Sequence, residues 1–210
     1  MRTKALLLAA ALTTAGIASY AQSNVYSVNV VGYVNVTVPA NGFGLIANPL
    51  NATNNTIGSL LPNLPADTVF YKYNGGYTTY TMDSIDLTWT PDASATLNPG
   101  EGGFVKNITG TPLTITFVGE VLQGSLTNNL PTGYSIRSSK VPQAGAVTTV
   151  LGFPGQADDV IYTYNGGYTT YTFDSIDLSW TPSEPVIGVG QAFFSKKIAG
   201  ENWVRNFTVP

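Results

Sequence analysis

Apolar and polar residues trade places early in the chain: Val34, Val36 and Val38 stand against Asn35 and Thr37, a period of two that predicts a half-buried strand. Val28, Val30 and Tyr33 lead into it, with a bulge expected at Gly32. Asn41-Gly42 signals a turn. GFGLIANPL (42–50) predicts a short apolar strand closed by Asn48-Pro49, since proline cannot donate to a ladder. Helical spacing shows once in this half: Ile57, Leu60 and Leu61 share a face, Asn55 or Thr56 can cap it and Pro62 stops it, so 54–64 predicts one or two helical turns.

A hairpin follows. With Asn74-Gly75-Gly76 as its loop, Tyr73 faces Tyr77, Tyr71 faces Thr79 and Val69 faces Thr81, while Phe70 faces Tyr80 and Lys72 faces Thr78 on the other side. Phe70, Tyr80 and Met82 are expected to enter a core, which leaves Tyr71, Tyr73 and Tyr77 on an amphipathic face. DSIDLTWTPD predicts a turn into a Trp-Thr-Pro corner, and 97–107 a turn then a strand. Segment 111–130, where Leu113, Ile115 and Phe117 alternate with threonines, is expected to run as continuous strand out of this half and into the next.

The hairpin occurs twice. Residues 71–91 and 162–182 differ only at Lys72 against Thr163, Met82 against Phe173 and Thr88 against Ser179, and Gly42-Phe43 and Ala66-Asp67 recur as Gly133-Tyr134 and Ala157-Asp158 at the same spacing of 91. This predicts an all-β chain of two tandem β-sandwich-like repeats, 22–121 and 122–210, packed as one pseudo-symmetric body, each with one short helix or turn, the second around Val147 to Leu151.

A basic start, the apolar run Ala5 to Ala11 and the small residues Ser19 and Ala21 predict a signal peptide over 1–21, too interrupted to span a bilayer, so export to the cell surface, periplasm or medium of a Gram-negative-type bacterium is expected. Losing Arg2 and Lys4 with it would lower nine basic residues to seven against twelve acidic ones. An acidic chain without a basic patch is a poor nucleic-acid partner. Charged residues make up 10% of the chain and cysteine is absent, so polarity comes from Thr, Asn, Gly and Tyr, and no disulfide holds the fold.

Histidine is absent as well, which removes Ser-His-Asp and Cys-His nucleophiles and the ordinary zinc, copper and haem sites; no cofactor and no catalytic residue is expected. A carboxylate pair from Glu101, Glu120, Asp83 or Asp86 is the remaining catalytic possibility, weakened because Gln191 replaces Glu101 in the second repeat. The repeated Asp83-Ser84-Ile85-Asp86 and Asp174 to Asp177 loops offer oxygens to calcium, or simply close Asx turns. Tyr71, Tyr73, Tyr77 and Trp89, with Tyr162, Tyr164, Tyr168 and Trp180, could form aromatic platforms for sugar rings; alternatively the tyrosines are strand formers and the tryptophans fill the cores. The opening strand has no preceding repeat and NFTVP no following one. These ends either pair within the molecule or add head to tail between copies.

VYSVNVVGYVNV after the leader, GFGLIANPLN, LNPGEGGFVKN and TFVGEVLQGSLTNNLP resemble a family of exported, β-rich proteins of Verrucomicrobia and relatives, over essentially the whole mature chain. The resemblance implies export and a β fold, and it carries no activity or ligand. Together these readings predict a non-catalytic structural or adhesive protein of the cell surface or matrix, with a carbohydrate-binding module using the hairpin tyrosines as the alternative.

Overall fold

The computed structural model describes residues 30–209, so the expected leader and Val28 lie outside the described residues. The chain is all-β with antiparallel pairing throughout. Its first half contains β1 (Val31–Val38), β2 (Phe43–Ala47), helix α1 (Ile57–Leu60), β3 (Val69–Tyr73), β4 (Tyr77–Met82), β5 (Trp89–Thr90), β6 (Gly102–Lys106) and β7 (Leu113–Glu120). The second contains β8 (Gly124–Leu130), β9 (Gly133–Arg137), β10 (Gly145–Ala146), β11 (Val160–Tyr164), β12 (Tyr168–Phe173), β13 (Trp180–Thr181), β14 (Val186–Ile187), β15 (Phe193–Lys197) and β16 (Glu201–Phe207). No helix among the described residues is long and apolar enough to cross a membrane.

Each half holds a five-stranded sheet and a long two-stranded ribbon, and the second half adds the short ribbon β10-β14. The sheets run β2-β6-β3-β4-β5 and β9-β15-β11-β12-β13, the same order strand for strand, and the long ribbons are β1-β7 and β8-β16. In the first half the inward side chains of the ribbon, Val38, Ile115 and Phe117, meet Ile46, Phe70, Met82, Trp89 and Val105 of the sheet. Helix α1 seals one end with Ile57 and Leu60. Thr56 occupies its N-cap without a side-chain bond to the helix backbone, its Oγ1 donating to Ser59 Oγ at 3.4 Å, and the neighbouring Asn55 is engaged elsewhere, its Oδ1 accepting the Ala52 N–H and the Asn48 amide. Leu130, Phe153, Ile161, Phe173, Trp180, Phe193 and Trp203 build the second core.

Two expectations fail. Strand β1 pairs one-to-one with β7 from Val31 opposite Glu120 to Val38 opposite Leu113, with no bulge at Gly32. Segment 111–130 is not one strand: β7 stops at Glu120, Val121 turns inward, its N–H bonding to the Val30 carbonyl, and β8 starts at Gly124 (φ 88°) in another ribbon. Val121 and Leu122, apolar in succession, interrupt the alternation at the break. The segment around Val147 to Leu151 is a hydrogen-bonded turn. The chain ends pair internally, β1 with β7 and β16 with β8, which leaves head-to-tail addition without the unpartnered strands it was based on.

The halves meet through the outer faces of the two large sheets. Leu45, Ala47 and Phe104 interlock with Ile136, Ala192 and Phe194 in a third buried cluster. Reciprocal backbone bonds stitch the seam: Ala47 N–H to Gly190 O at 2.8 Å, and Ser138 N–H to Gly100 O at 3.1 Å. Both glycines have positive φ, 73° at Gly190 and 95° at Gly100, and a Cβ on Gly190 would lie 2.5 Å from Val36 Cγ2. Phe207 and Val209 at the chain's end pack against the first core.

Candidate functional site

The hairpin loops Asn74 to Gly76 and Asn165 to Gly167 fix the register of the tyrosine faces. Tyr73 pairs with Tyr77 and Tyr71 with Thr79; Tyr164 pairs with Tyr168 and Tyr162 with Thr170. Since side chains alternate across a strand, Phe70 and Met82 go to the first core and the tyrosines go to the seam. There they complete two open clefts.

One cleft, of about 390 Å³, is walled by Phe43, Tyr71, Tyr77, Phe104, Tyr164 and Tyr168. The other, of about 460 Å³, is walled by Tyr134, Tyr162, Tyr168, Phe194, Tyr73 and Tyr77. By strand register these are the same positions with the two halves exchanged. The ring geometry repeats as well. Tyr73 meets Phe194 at 5.2 Å and Tyr164 meets Phe104 at 5.1 Å; Tyr71 lies 6.2 Å from Tyr77, and Tyr162 6.3 Å from Tyr168. Tyr77 and Tyr168 form the ridge between the clefts and are 50% and 55% exposed, which makes them the rings a ligand could reach.

Burial, then Tyr168 and Tyr73, push Tyr77 far above the ordinary tyrosine range. Burial likewise raises Tyr168, and burial with the Tyr134 contact raises Tyr162. These hydroxyls therefore stay neutral at physiological pH, available to donate and accept hydrogen bonds. A cation stands at each mouth: Lys106 Nζ lies 5.8 Å from the Phe43 ring centre, and Lys196 Nζ 5.8 Å from that of Tyr134.

Compared with family models, curated proteins and solved structures, the chain has no significant match.

Six of the eight aromatic residues singled out in the sequence line the clefts. Trp89 and Trp180 do not: they are 5% and 7% exposed, sit in the two cores, and donate Nε1–H to Leu61 O and Thr148 Oγ1. A ligand cannot stack on them in this fold. The clefts also need Phe43, Tyr134, Phe104 and Phe194, which the sequence did not mark as site residues. For Phe43 and Tyr134 a signal was present in their spacing of 91.

Of the candidate carboxylates, Glu101, Asp83 and Asp86 are engaged locally. Glu101 Oε2 accepts the Asn98 N–H and pairs with Lys72 at 3.1 Å; burial alone would raise Glu101, but these partners outweigh it and hold the group below its ordinary value. Gln191 does the same bracing in the second half, accepting the Gly188 N–H at 2.9 Å. Asp83 Oδ1 accepts the N–H groups of Ile85 and Asp86, and Asp174 Oδ1 those of Ile176 and Asp177, as Asx turns do. No group of three or more acidic residues that could hold a metal occurs among the described residues.

Proposed function

We propose that this chain is a non-catalytic, exported adhesive protein that holds polysaccharide at a cell surface or matrix through the paired aromatic clefts. The observation that carries this reading is the recurrence of one aromatic wall in two clefts that share a ridge of half-exposed tyrosines. Aromatic rings with neutral hydroxyls at the edge suit a sugar ring, whose C–H faces stack while its hydroxyls bond at the rim. The volumes fall in the ordinary range for small-ligand sites. Lys106 and Lys196 at the mouths favour sugars bearing carboxylate or sulfate over neutral ones. Two clefts side by side also support avidity for a repeating polymer.

The test is a panel of neutral and acidic polysaccharides against the mature chain and a Tyr77→Ala, Tyr168→Ala variant. Saturable binding by the parent, lost in a variant that melts at a similar temperature, is expected. Binding unaffected by the double substitution, or no binding by the parent to any polysaccharide, overturns the reading.

A further inference from the structure

The second half contains a charged cluster that the first half lacks. Lys197 at the end of β15 and Asp159 just before β11 are ion-paired with both side chains fully buried, and Lys197 also contacts Glu201 at the start of β16. The ammonium donates to Pro154 O at 2.7 Å and lies 5.3 Å from the centre of the buried Phe153 ring. By register, the corresponding residues of the first half are Thr68, Asn107 and Leu113, all neutral. Asn107 fills that corner by donating to Pro39 O and Thr111 O at 3.0 and 2.8 Å. The corner therefore folds without charge. Burying ions is costly, and a neutral arrangement is often as stable, so stability alone does not account for the charged trio.

We propose that Lys197 and Asp159 condense spontaneously to an isopeptide bond, with Glu201 as the proton carrier. Proton transfer within the buried pair leaves a neutral amine beside a neutral acid, which removes two desolvated charges. The Nζ lone pair attacks Asp159 Cγ, forming the N–C bond while the carbonyl pair moves onto Oδ1. That oxygen accepts the Ile198 N–H at 3.0 Å, a donor already placed where the oxyanion develops. Glu201 Oε1, buried against Nζ and holding no other hydrogen bond, takes a proton from Nζ and delivers it to Oδ2. The Cγ–Oδ2 bond breaks and Oδ2 leaves as water. One ammonium and one carboxylate become one amide and one water, with no change in oxidation state. The new amide N–H inherits the Pro154 carbonyl as its acceptor.

Intact-mass spectrometry of the purified, denatured wild-type chain tests this, followed by proteolytic mapping. Expected are a chain lighter by one water than its sequence requires and a branched peptide joining the segments around Asp159 and Lys197. A Lys197→Arg chain keeps full mass, and Glu201→Gln forms the bond more slowly or not at all. A wild-type chain of full mass, or a water loss that maps elsewhere, overturns the bond. Cross-linking in Glu201→Gln at the wild-type rate overturns the role of Glu201. The wild-type mass decides the bond even if a variant fails to fold.

Discussion

Tyr73, on the first hairpin, sets its ring edge-on against Phe194 of the second half's sheet, 5.2 Å between centres and 77° between planes. The relationship returns with the halves exchanged, as Tyr164 against Phe104 at 5.1 Å and 90°. Each cleft is thus walled by a hairpin from one half and a central strand from the other.

Phe194→Ala is expected to cost about 3–5 kcal/mol, because the ring is 8% exposed at the centre of the seam and truncation leaves a cavity. Phe104→Ala, 6% exposed, should cost a similar amount. Urea denaturation checks both. If either is silent, the seam is not the tight contact described.

Gly190→Ala and Gly124→Ala separate backbone strain from collision. Both glycines have positive φ, 73° and 88°, so alanine at either costs on the order of 1–2 kcal/mol. Only at Gly190 does the added methyl also strike a neighbour, Val36 across the seam. The Gly190 variant should therefore be clearly the less stable on thermal melting. Equal losses would remove the close approach from the argument.

Glu101→Gln is expected to lose about 1 kcal/mol at neutral pH, since the amide can still brace the turn as Gln191 does but cannot pair with Lys72. The sign follows from the lowered carboxyl: its charge-dependent contribution is complete above the ordinary glutamate value of 4.5 and fades as pH falls through the lower folded value. Wild type and variant should converge in acid. A gap that stays constant down the pH scale would assign the loss to packing instead.

Much of the fold was legible because local rules agreed with it. The Asn-Gly-Gly loop fixed the hairpin register, and that register alone sends Phe70 inward and Tyr73 outward. What escaped depends on the docking of the halves. Phe104 and Phe194 look like ordinary sheet-core residues until a hairpin from the other repeat lies on them. Trp89 and Trp180 offered the same aromatic chemistry as the tyrosines, and only their place beside the corner, facing Leu61 and Thr148, takes them into the cores. The break after Glu120 was marked in the sequence only by Val121 and Leu122, two apolar residues in a row ahead of Gly124, a signal too short to separate a strand end from a continuing strand. Lys197 reads as a solvated strand end, yet it is enclosed. Comparison with Asn107 at the equivalent position was the available clue.

Because both aromatic clefts borrow walls from both halves, a lone repeat of this design would own neither of them. It would have to dock against a second copy of itself, and its site would vanish on dilution. Fusing the copies in one polypeptide makes that encounter permanent and concentration-independent. It also releases the two sites from identity: Phe43 and Tyr134, twins by register, already present a bare ring in one cleft and a hydroxyl in the other. The covalent linkage is what lets two clefts of one design carry different walls.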